Sequence, residues 1–253
     1  LDDLQWLGLT WDRGPFFQSK RSELYQDALL KLKQQKLLYP CFCSRADLHA
    51  AQAPHASDGA YVYAGTCRDL SKSEREELSK HKIPATRIRV ANKTYAFEDK
   101  VYGQTSQNLA ESCGDFIVQR ADGVFAYQLA VVVDDADMGV TEVVRGSDLL
   151  SSTPRQLYLQ DVLGFSHPIY AHLPLLVAPD GRRLSKRNHD LDLGVLRDQG
   201  KTPEEILGFL AYCIGLAEKE EPLSAVQVAN RFSWDVLRAH RKNVVVEHFS
   251  HVL

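Results

Sequence analysis

The stretch FAYQLAVVVDDADMGVTEVVRGSDLL, residues 125–150, carries most of the information about the fold. Its run at 129–133 is continuous, apolar and largely β-branched, which is typical of a strand buried on both faces of a parallel sheet. Such a strand would end at Asp134 and Asp135 and would place two carboxylates at the carboxyl edge of the sheet. Open α/β sheets bind ligands at that edge, so the stretch predicts an α/β fold with a site there.

Arg145 is a second candidate for this edge, in the segment RGSD that follows one short strand later. Arginine can grip a carboxylate with two parallel hydrogen bonds. Alternatively, Asp134, Asp135 and Arg145 form structural ion pairs or caps, because aspartates at loop ends usually cap or turn. Residue types alone slightly favour that structural interpretation.

Composition limits the possible classes of protein. The 253 residues, 44% apolar and 25% charged, are ordinary for a globular protein of one or two domains. No run of 18 apolar residues exists, so no membrane association is expected. The net charge of −3 does not indicate a nucleic-acid binder, although a local basic face would be sufficient. The odd count of five cysteines argues against a disulfide framework and predicts a cytoplasmic protein.

Three of the five cysteines, Cys41, Cys43 and Cys67, are concentrated in one polar, loop-rich segment. Thiolates are preferred zinc ligands, and metal binding would supply folding free energy to a loop with little core of its own. The sequence therefore favours a structural zinc over three buried free thiols. Candidates for a fourth ligand are Tyr63, His55, His49 or water.

The basic loop GRRLSKR, residues 181–187, can bind phosphates through charge and backbone N–H groups, although a solvated basic turn is at least as consistent with it. Hydrophobic spacing, helix start signals and turn residues also predict several other elements. Helices are predicted at 19–38, 71–81, 152–163, 203–217 and 233–249, strands at 85–90 and 94–99, and a hairpin turn at Asp122-Gly123.

Together these motifs resemble the glutamyl/glutaminyl branch of the class I aminoacyl-tRNA synthetases. The resemblance is carried by residues 125–150, by STPRQLYLQDVLGF at 152–165 and by LPLLVAPDGRRLSKRNH at 173–189. It covers nearly the whole chain and implies a Rossmann-type parallel sheet. The implied organisation is a remainder of the first Rossmann half at 1–38, an inserted zinc-binding module at 39–112, a second half with a KMSKS-type loop at 113–190, and a short helical region at 191–253.

The chain also resembles a truncated bacterial subfamily of that branch, the glutamyl-queuosine tRNA(Asp) synthetases. Its C-x-C and Y-x-x-x-C motifs are similar to that subfamily's zinc site, in which a tyrosine replaces the usual fourth ligand. The chain also ends soon after Arg187, where a full glutamyl enzyme would continue into a long anticodon-binding region. The zinc ligands that the resemblance implies are Cys41, Cys43, Tyr63 and Cys67.

The activity that the resemblance implies is activation of glutamate by ATP, followed by transfer to the queuosine base in the anticodon of tRNA(Asp). Tyr127 and Arg145 match positions that hold glutamate, and Lys186 matches the catalytic loop lysine that stabilises the ATP phosphates. Ser185 and Arg183 belong to the same ATP-binding loop, with Arg183 in place of the family's usual lysine. The implied cofactors are one structural Zn²⁺ and Mg²⁺ with ATP. The implied partners are ATP, L-glutamate and queuosine-bearing tRNA(Asp), with no stable protein partner.

The family's N-terminal strand, its HIGH-type ATP motif and further glutamate-binding residues are not in this chain, so we expect them before Leu1. Two alternative functions stay open. One is a fragment of a conventional glutamyl-tRNA synthetase. The other is a non-catalytic paralogue that binds glutamate or RNA.

Overall fold

The structure is a computed structural model that describes residues 1–44, 47, 62–184 and 193–246. Its α-helices are α1 (Asp2–Trp6), α2 (Ser22–Gln34), α3 (Lys72–His81), α4 (Leu109–Ser112), α5 (Tyr127–Asp137), α6 (Thr153–Leu163), α7 (Leu193–Asp198), α8 (Pro203–Cys213), α9 (Ala225–Asn230) and α10 (Trp234–Ala239). The strands are β1 (Leu38–Cys41), β2 (Ala85–Ile88), β3 (Thr94–Asp99), β4 (Gly103–Asn108), β5 (Phe116–Gln119), β6 (Glu142–Gly146), β7 (Ile169–Leu173), β8 (Leu176–Val177) and β9 (Val244–Val245). Short 3₁₀ turns lie at Gln18–Lys20 and Ser147–Ser152.

The strands form three sheets. An antiparallel sheet has the order β1-β2-β5, a mixed sheet has the order β4-β3-β7-β6, and β8 pairs with β9. In the mixed sheet β6 and β7 pair in parallel along their whole length, and β3 joins β7 in parallel through Asp99 and Tyr170. The prediction of an α/β protein is confirmed, with a main sheet that is mixed and not wholly parallel.

The prediction of a buried strand at 129–133 is wrong, because these residues belong to helix α5. The helix packs against α2 and α6, and the side chains of Leu129, Ala130, Val132 and Val133 are all buried. A continuous apolar run fits a buried helix as well as a buried strand. Burial between two helices outweighs the small helix penalty of the three valines.

Helix α2 supplies the other side of this core. Its apolar side chains recur at helical spacing and lie buried in the main hydrophobic cluster, whereas its lysines and glutamines face outward. The buried residues of α2 are Tyr25, Ala28, Leu29 and Leu32.

Two further predictions near the sheets are confirmed. Helix α3 begins after Ser71, whose hydroxyl accepts from the backbone of Glu74 while the Glu74 carboxylate accepts from the backbone of Ser71. The turn at Asp122-Gly123 connects β5 to Phe125, which bridges back to Gln119 in antiparallel fashion.

The C-terminal region is less helical than the sequence predicts. Helix α8 ends at Cys213 because Gly215 has a φ of 78°, and its Cα lies close to the His240 ring. Residues 233–249 do not form one helix. They give the short helix α10 and then β9, whose β-branched Val244 and Val245 pair with β8.

The predicted module at 39–112 shares both large sheets with the rest of the chain. Its strand β1 pairs with β2, β2 pairs with β5, and its strand β3 pairs with β7. The four domain boundaries stay a prediction. Within the described ranges, no helix has both the length and the apolar character needed to cross a bilayer.

Candidate active site and metal centre

Three neighbouring strands of the mixed sheet carry polar side chains on one face. Arg145 on β6 is the register partner of His172 on β7, and Asp99 on β3 is the register partner of Tyr170. Paired residues share a face, and alternate residues of a strand return to it. Asp99, His172 and Arg145 therefore form one row that ends near the carboxyl end of β6, at the edge where α/β sheets bind ligands.

The Arg145 guanidinium is held by its neighbours in a defined orientation. Its Nε donates to Nε2 of His172 at 3.0 Å, and its Nη2 donates to Oγ1 of Thr153 at 2.9 Å and to the carbonyl of Leu149 at 3.4 Å. Its central carbon lies 5.3 Å from the centre of the Tyr170 ring. Among the residues that the structure describes, Nη1 has no hydrogen-bond partner, so it is available to a ligand.

His172 and Asp99 lie behind this arginine with fully buried side chains. Nδ1 of His172 lies 2.6 Å from Oδ2 of Asp99, and Oδ1 accepts from the backbone N–H groups of Val101 and Tyr102 at 2.9 Å. Burial raises the pKa of Asp99, but the hydrogen bonds from His172 and from the backbone outweigh it, so the pKa lies below the ordinary carboxyl value. Asp99 is therefore an ionised, buried acceptor.

Tyr127 is the first residue of α5, and its side chain is 47% exposed. The next residue, Gln128, donates to Oγ of Ser152 at 3.0 Å and so ties the start of α5 to the turn that follows β6. Burial raises the pKa of the Tyr170 phenol, and Arg145 and Tyr127 are both close enough to modulate it. Gln128, next to Tyr127, bonds Ser152, and Arg145 bonds the adjacent Thr153, so the start of α5 and Arg145 lie in the same region.

The prediction that Asp134 lies at a sheet edge is wrong, because Asp134 belongs to the last turns of α5. It is buried and accepts hydrogen bonds from Arg21 Nε at 2.7 Å and from Gln18 Nε2 and Tyr25 OH at 2.9 Å. The alternative interpretation of Asp134, as a member of a structural ion pair, is therefore correct. Asp135 lies beside it in the helix, where burial raises the pKa of its carboxyl group.

Arg183 lies on the exposed side of the site and forms an ion pair with Asp148, in the turn after β6. This contact connects the strand that carries Arg145 to the segment that leads into the predicted phosphate loop. Ser185 and Lys186 of that loop lie outside the described residues.

The three clustered cysteines converge with Tyr63. The Sγ atoms of Cys41, Cys43 and Cys67 all lie within 4.8 Å of one another, and Cys43 and Cys67 are 3.5 Å apart. The Tyr63 hydroxyl lies 3.6 Å from Cys41 Sγ and 3.7 Å from Cys43 Sγ. A tetrahedral zinc ion with Zn–S bonds of about 2.3 Å holds its ligand atoms roughly 3.8 Å apart, so this donor set fits such an ion. Of the other candidate ligands, His49 and His55 lie outside the described residues.

A buried arginine supports the cysteine cluster. Arg87 donates through Nε to Cys41 Sγ at 3.1 Å and through Nη1 to the carbonyl of Asp115 at 2.7 Å, and it lies 3.8 Å above the Tyr63 ring. The Asp115 carboxylate is itself buried and accepts from Tyr39 OH at 2.7 Å. A cation beside several thiolates offsets their mutual repulsion.

The thiols of Cys41 and Cys43 differ in acidity when no metal is bound. Burial raises the pKa of Cys41, but the charge and hydrogen bond of Arg87 outweigh it, and the pKa is lowered. Burial raises the pKa of Cys43 to about 11. A bound divalent cation would favour the thiolate form of both residues.

The family is decided by comparison with known proteins. A family model described as the catalytic domain of class I tRNA synthetases (E and Q) matches residues 1–250. The Glutamyl-Q tRNA(Asp) synthetase of Symbiobacterium thermophilum is 47% identical over 96% of this chain and 77% of its own length. The chain belongs to the glutamyl-Q tRNA(Asp) synthetase family. Proteins of the same name from Nitratidesulfovibrio vulgaris and Rhodopirellula baltica are 47% and 43% identical, over 85% and 98% of this chain and 69% and 80% of their own lengths.

Solved structures share the fold of this glutamyl-Q tRNA(Asp) synthetase family member. A glutamate tRNA ligase from Elizabethkingia meningosepticum, in complex with its amino acid, superposes with a TM-score of 0.74 over 96% of this chain, at 23% identity. The glutamate-tRNA synthetase from Elizabethkingia anophelis gives 0.75 over 97%, also at 23% identity. The chain spans 55% and 57% of those two proteins, and the likeness establishes the fold.

These matches confirm the resemblance to the glutamyl/glutaminyl branch and the expectation of a ligase of the aminoacyl-tRNA synthetase class. Sequence reasoning about this glutamyl-Q tRNA(Asp) synthetase family member missed Asp99, His172 and Arg87. No local motif marks them, because each meets its partner through strand pairing. The dipeptide Arg145-Gly146 gave a partial signal: a Cβ at Gly146 would lie 2.6 Å from Oδ1 of Asp148, so a larger residue there would require the Asp148 side chain to shift.

Proposed function

We propose that this protein activates glutamate with ATP and transfers it to the queuosine base in the anticodon of tRNA(Asp). The observation that carries the proposal is the Arg145 guanidinium, fixed at the carboxyl edge of the parallel pair with Nη1 unpaired among the described residues. A fixed cation at such an edge suits an anionic substrate. Relatives with 43–47% identity bear the name Glutamyl-Q tRNA(Asp) synthetase, and this supports the identity of the substrate and acceptor.

Two residues would hold glutamate in this scheme. Arg145 would pair with a carboxylate, because charge-assisted hydrogen bonds from a guanidinium give both affinity and orientation. Tyr127, exposed at the start of α5, would donate or accept a hydrogen bond through its hydroxyl. The carboxylate of the bound glutamate would then attack the α-phosphorus of ATP, which forms glutamyl-adenylate and releases pyrophosphate.

This first step needs positioning and charge neutralisation more than proton transfer. We assign those roles to the loop residues Lys186, Ser185 and Arg183, with Lys186 as the catalytic lysine and Mg²⁺ bound together with ATP. Arg183 is 62% exposed and can leave Asp148 for a phosphate at small cost, because exposed ion pairs contribute little. In the second step the acyl group passes to queuosine and AMP leaves.

The Cys41, Cys43, Tyr63 and Cys67 cluster would hold one structural Zn²⁺. The ion would hold the cluster residues together and would take no part in the reaction, since no acid–base pair accompanies the cluster among the residues that the structure describes. The hydrogen bond from the backbone of Phe42 to Cys67 Sγ, at 3.4 Å, is a favourable contact for a thiolate ligand.

Recognition of RNA would use a local basic face, since the net charge of the chain is −3. Exposed basic residues concentrate in the last turn of α10 and just after it, at Arg238, Arg241 and Lys242. A single splayed anticodon base is a target that a small protein can bind by stacking and hydrogen bonding. The five free cysteines fit a reducing cytoplasm, where this reaction would take place.

The test uses labelled glutamate, ATP and the purified full-length enzyme, with tRNA from cells that contain or lack queuosine. Label incorporated only into queuosine-containing tRNA supports the proposal. Equal labelling of both pools would instead support a conventional glutamyl-tRNA synthetase. Absence of both labelling and glutamate-dependent exchange between pyrophosphate and ATP would support a non-catalytic paralogue.

A further inference from the structure

A buried carboxylate and a buried imidazole connect the interior of the mixed sheet to Arg145. The contacts run from Asp99 Oδ2 to His172 Nδ1 at 2.6 Å, and from His172 Nε2 to Arg145 Nε at 3.0 Å. His172 is fully buried and its ring stacks on Tyr170 at 6.2 Å with an interplanar angle of 16°. Contacts on both ring nitrogens therefore hold the imidazole between Asp99 and Arg145.

Counting hydrogen-bond donors fixes the form of His172. A guanidinium N–H only donates, so Nε2 of His172 must accept and must carry no proton. The ring proton then lies on Nδ1 and is donated to Asp99, which is an acceptor. Asp99 thus selects the tautomer whose free nitrogen faces Arg145.

This arrangement fixes the orientation of the guanidinium. His172 holds Nε and Thr153 holds Nη2, and Nη1 is the nitrogen without a partner among the described residues. An arginine has several rotatable bonds, and a substrate carboxylate binds tightly only when the guanidinium is already oriented.

We infer that Asp99 and His172 are positioning residues, which together orient Arg145 for the carboxylate of the substrate. The inference rests on the proposed function of Arg145. Neither residue would contact glutamate, ATP or tRNA. Their effect would be confined to the binding of glutamate.

The primary test compares two substitutions at His172. In His172→Asn the side-chain amide can still donate to Asp99 but cannot reach Arg145, whereas in His172→Gln the amide oxygen can accept from Arg145 Nε. We expect His172→Asn to raise the KM for glutamate on the order of tenfold to 100-fold, the effect of losing a hydrogen bond to a charged group. The KM for ATP and kcat should change little, and His172→Gln should recover much of the loss.

Asp99→Asn is a second test that keeps the shape of the side chain. Its Oδ1 can still accept from the backbone of Val101 and Tyr102, but its amide donates toward His172. That favours the opposite tautomer, in which Nε2–H faces Arg145 Nε–H. The same selective rise in the KM for glutamate is expected, with far-UV circular dichroism unchanged.

The outcomes separate this inference from the proposed function. If Arg145→Ala abolishes glutamate activation while His172→Asn and Asp99→Asn leave the KM for glutamate unchanged, the positioning role is wrong and the proposed function stands. Equal losses in kcat and in both KM values, with no recovery in His172→Gln, would reduce the pair to a structural role. Activity that persists near wild type in Arg145→Ala would overturn the proposed function itself.

Discussion

Two arginines of this protein lie in similar surroundings but differ in what their nitrogens bind. Arg145 and Arg87 each lie over a tyrosine ring, at 5.3 Å and 3.8 Å. Arg87 is 5% exposed and directs both Nε and Nη1 to protein atoms, Cys41 Sγ and the carbonyl of Asp115. Arg145 is less buried and keeps Nη1 unpaired among the residues described.

The comparison shows how two arginine side chains take different roles, one binding a ligand and the other supporting the structure. Arg87 makes its hydrogen bonds to atoms inside the protein and stabilises the thiolate form of Cys41, so it supports the cysteine cluster. Arg145 is oriented by the protein through two nitrogens and retains a third for a ligand. Each guanidinium uses two of its nitrogens for protein atoms, so burial and position, and not the number of unpaired nitrogens, distinguish the binding arginine at the sheet edge from the structural one in the interior.

The largest effect is expected at Arg145. Lysine in this position keeps the charge but cannot bond His172, Thr153 and a substrate together, since it lacks the planar fork. Arg145→Lys should lower glutamate-dependent exchange between pyrophosphate and ATP by about 100-fold, because hydrogen bonds of a charged, oriented group are lost together. Arg231→Lys, in an exposed ion pair with Glu221, is the matched control and should stay near wild type. Similar activity in the two variants would exclude the ligand-binding role of Arg145.

The next effect concerns the metal. Cys43→Ser replaces a thiolate ligand by a hydroxyl that binds zinc poorly, so elemental analysis should find the ion lost and the thermal midpoint should fall by several degrees. Cys213→Ser changes a thiol on α8, remote in sequence from the cluster, and should keep full metal content. Unchanged zinc in Cys43→Ser would refute the ligand assignment.

A smaller effect is expected at Gly114, which lets the backbone approach Tyr63. Its φ is 63°, and a Cβ there would lie 2.5 Å from the Tyr63 carbonyl oxygen. Gly114→Ala should destabilise the protein by about 1–3 kcal/mol and weaken metal retention, because strain and steric contact combine. Gly123→Ala has a similar φ of 83° with no atom near the added methyl, so it should cost about 1 kcal/mol through backbone strain alone. Urea unfolding of both variants measures the difference.

The smallest expected effect is a pH dependence at Asp99. Its folded pKa lies below its unfolded value, so its contribution to stability is present above the unfolded pKa and is lost as pH falls through the folded pKa. Between neutral pH and mildly acidic pH the carboxylate stays charged and the contribution is constant. Below the ordinary carboxyl value of 3.8 the wild type should lose stability relative to Asp99→Asn. Parallel unfolding curves of the two proteins through this acid range would exclude the contribution.

The sequence was sufficient for the parts of the protein that local spacing determines. Clustered cysteines predict the convergence of three thiols, helical spacing predicts α2, and the Ser152-Thr153-Pro154 start signal predicts α6, because neighbours along the chain decide these features. The run at 129–133 misled the prediction, since a fully apolar segment has no periodicity that separates helix from strand.

The row across the mixed sheet could not be predicted from residue types alone. Asp99 and His172 look like ordinary core polar residues until the register of β3, β6 and β7 places them beside Arg145. Strand register depends on packing over the whole sheet, and single-residue preferences carry little information about it.

The strand pairing around Arg145 also has a kinetic consequence. Its supporting contacts join residues that are 73 and 27 positions apart in the chain, for Asp99 with His172 and for Arg145 with His172. Contacts of large sequence separation require costly loop closure and form slowly. During refolding, competence to bind an anion at Arg145 should therefore appear together with the completed sheet, after the local helices have formed, which makes ligand binding a late reporter of folding.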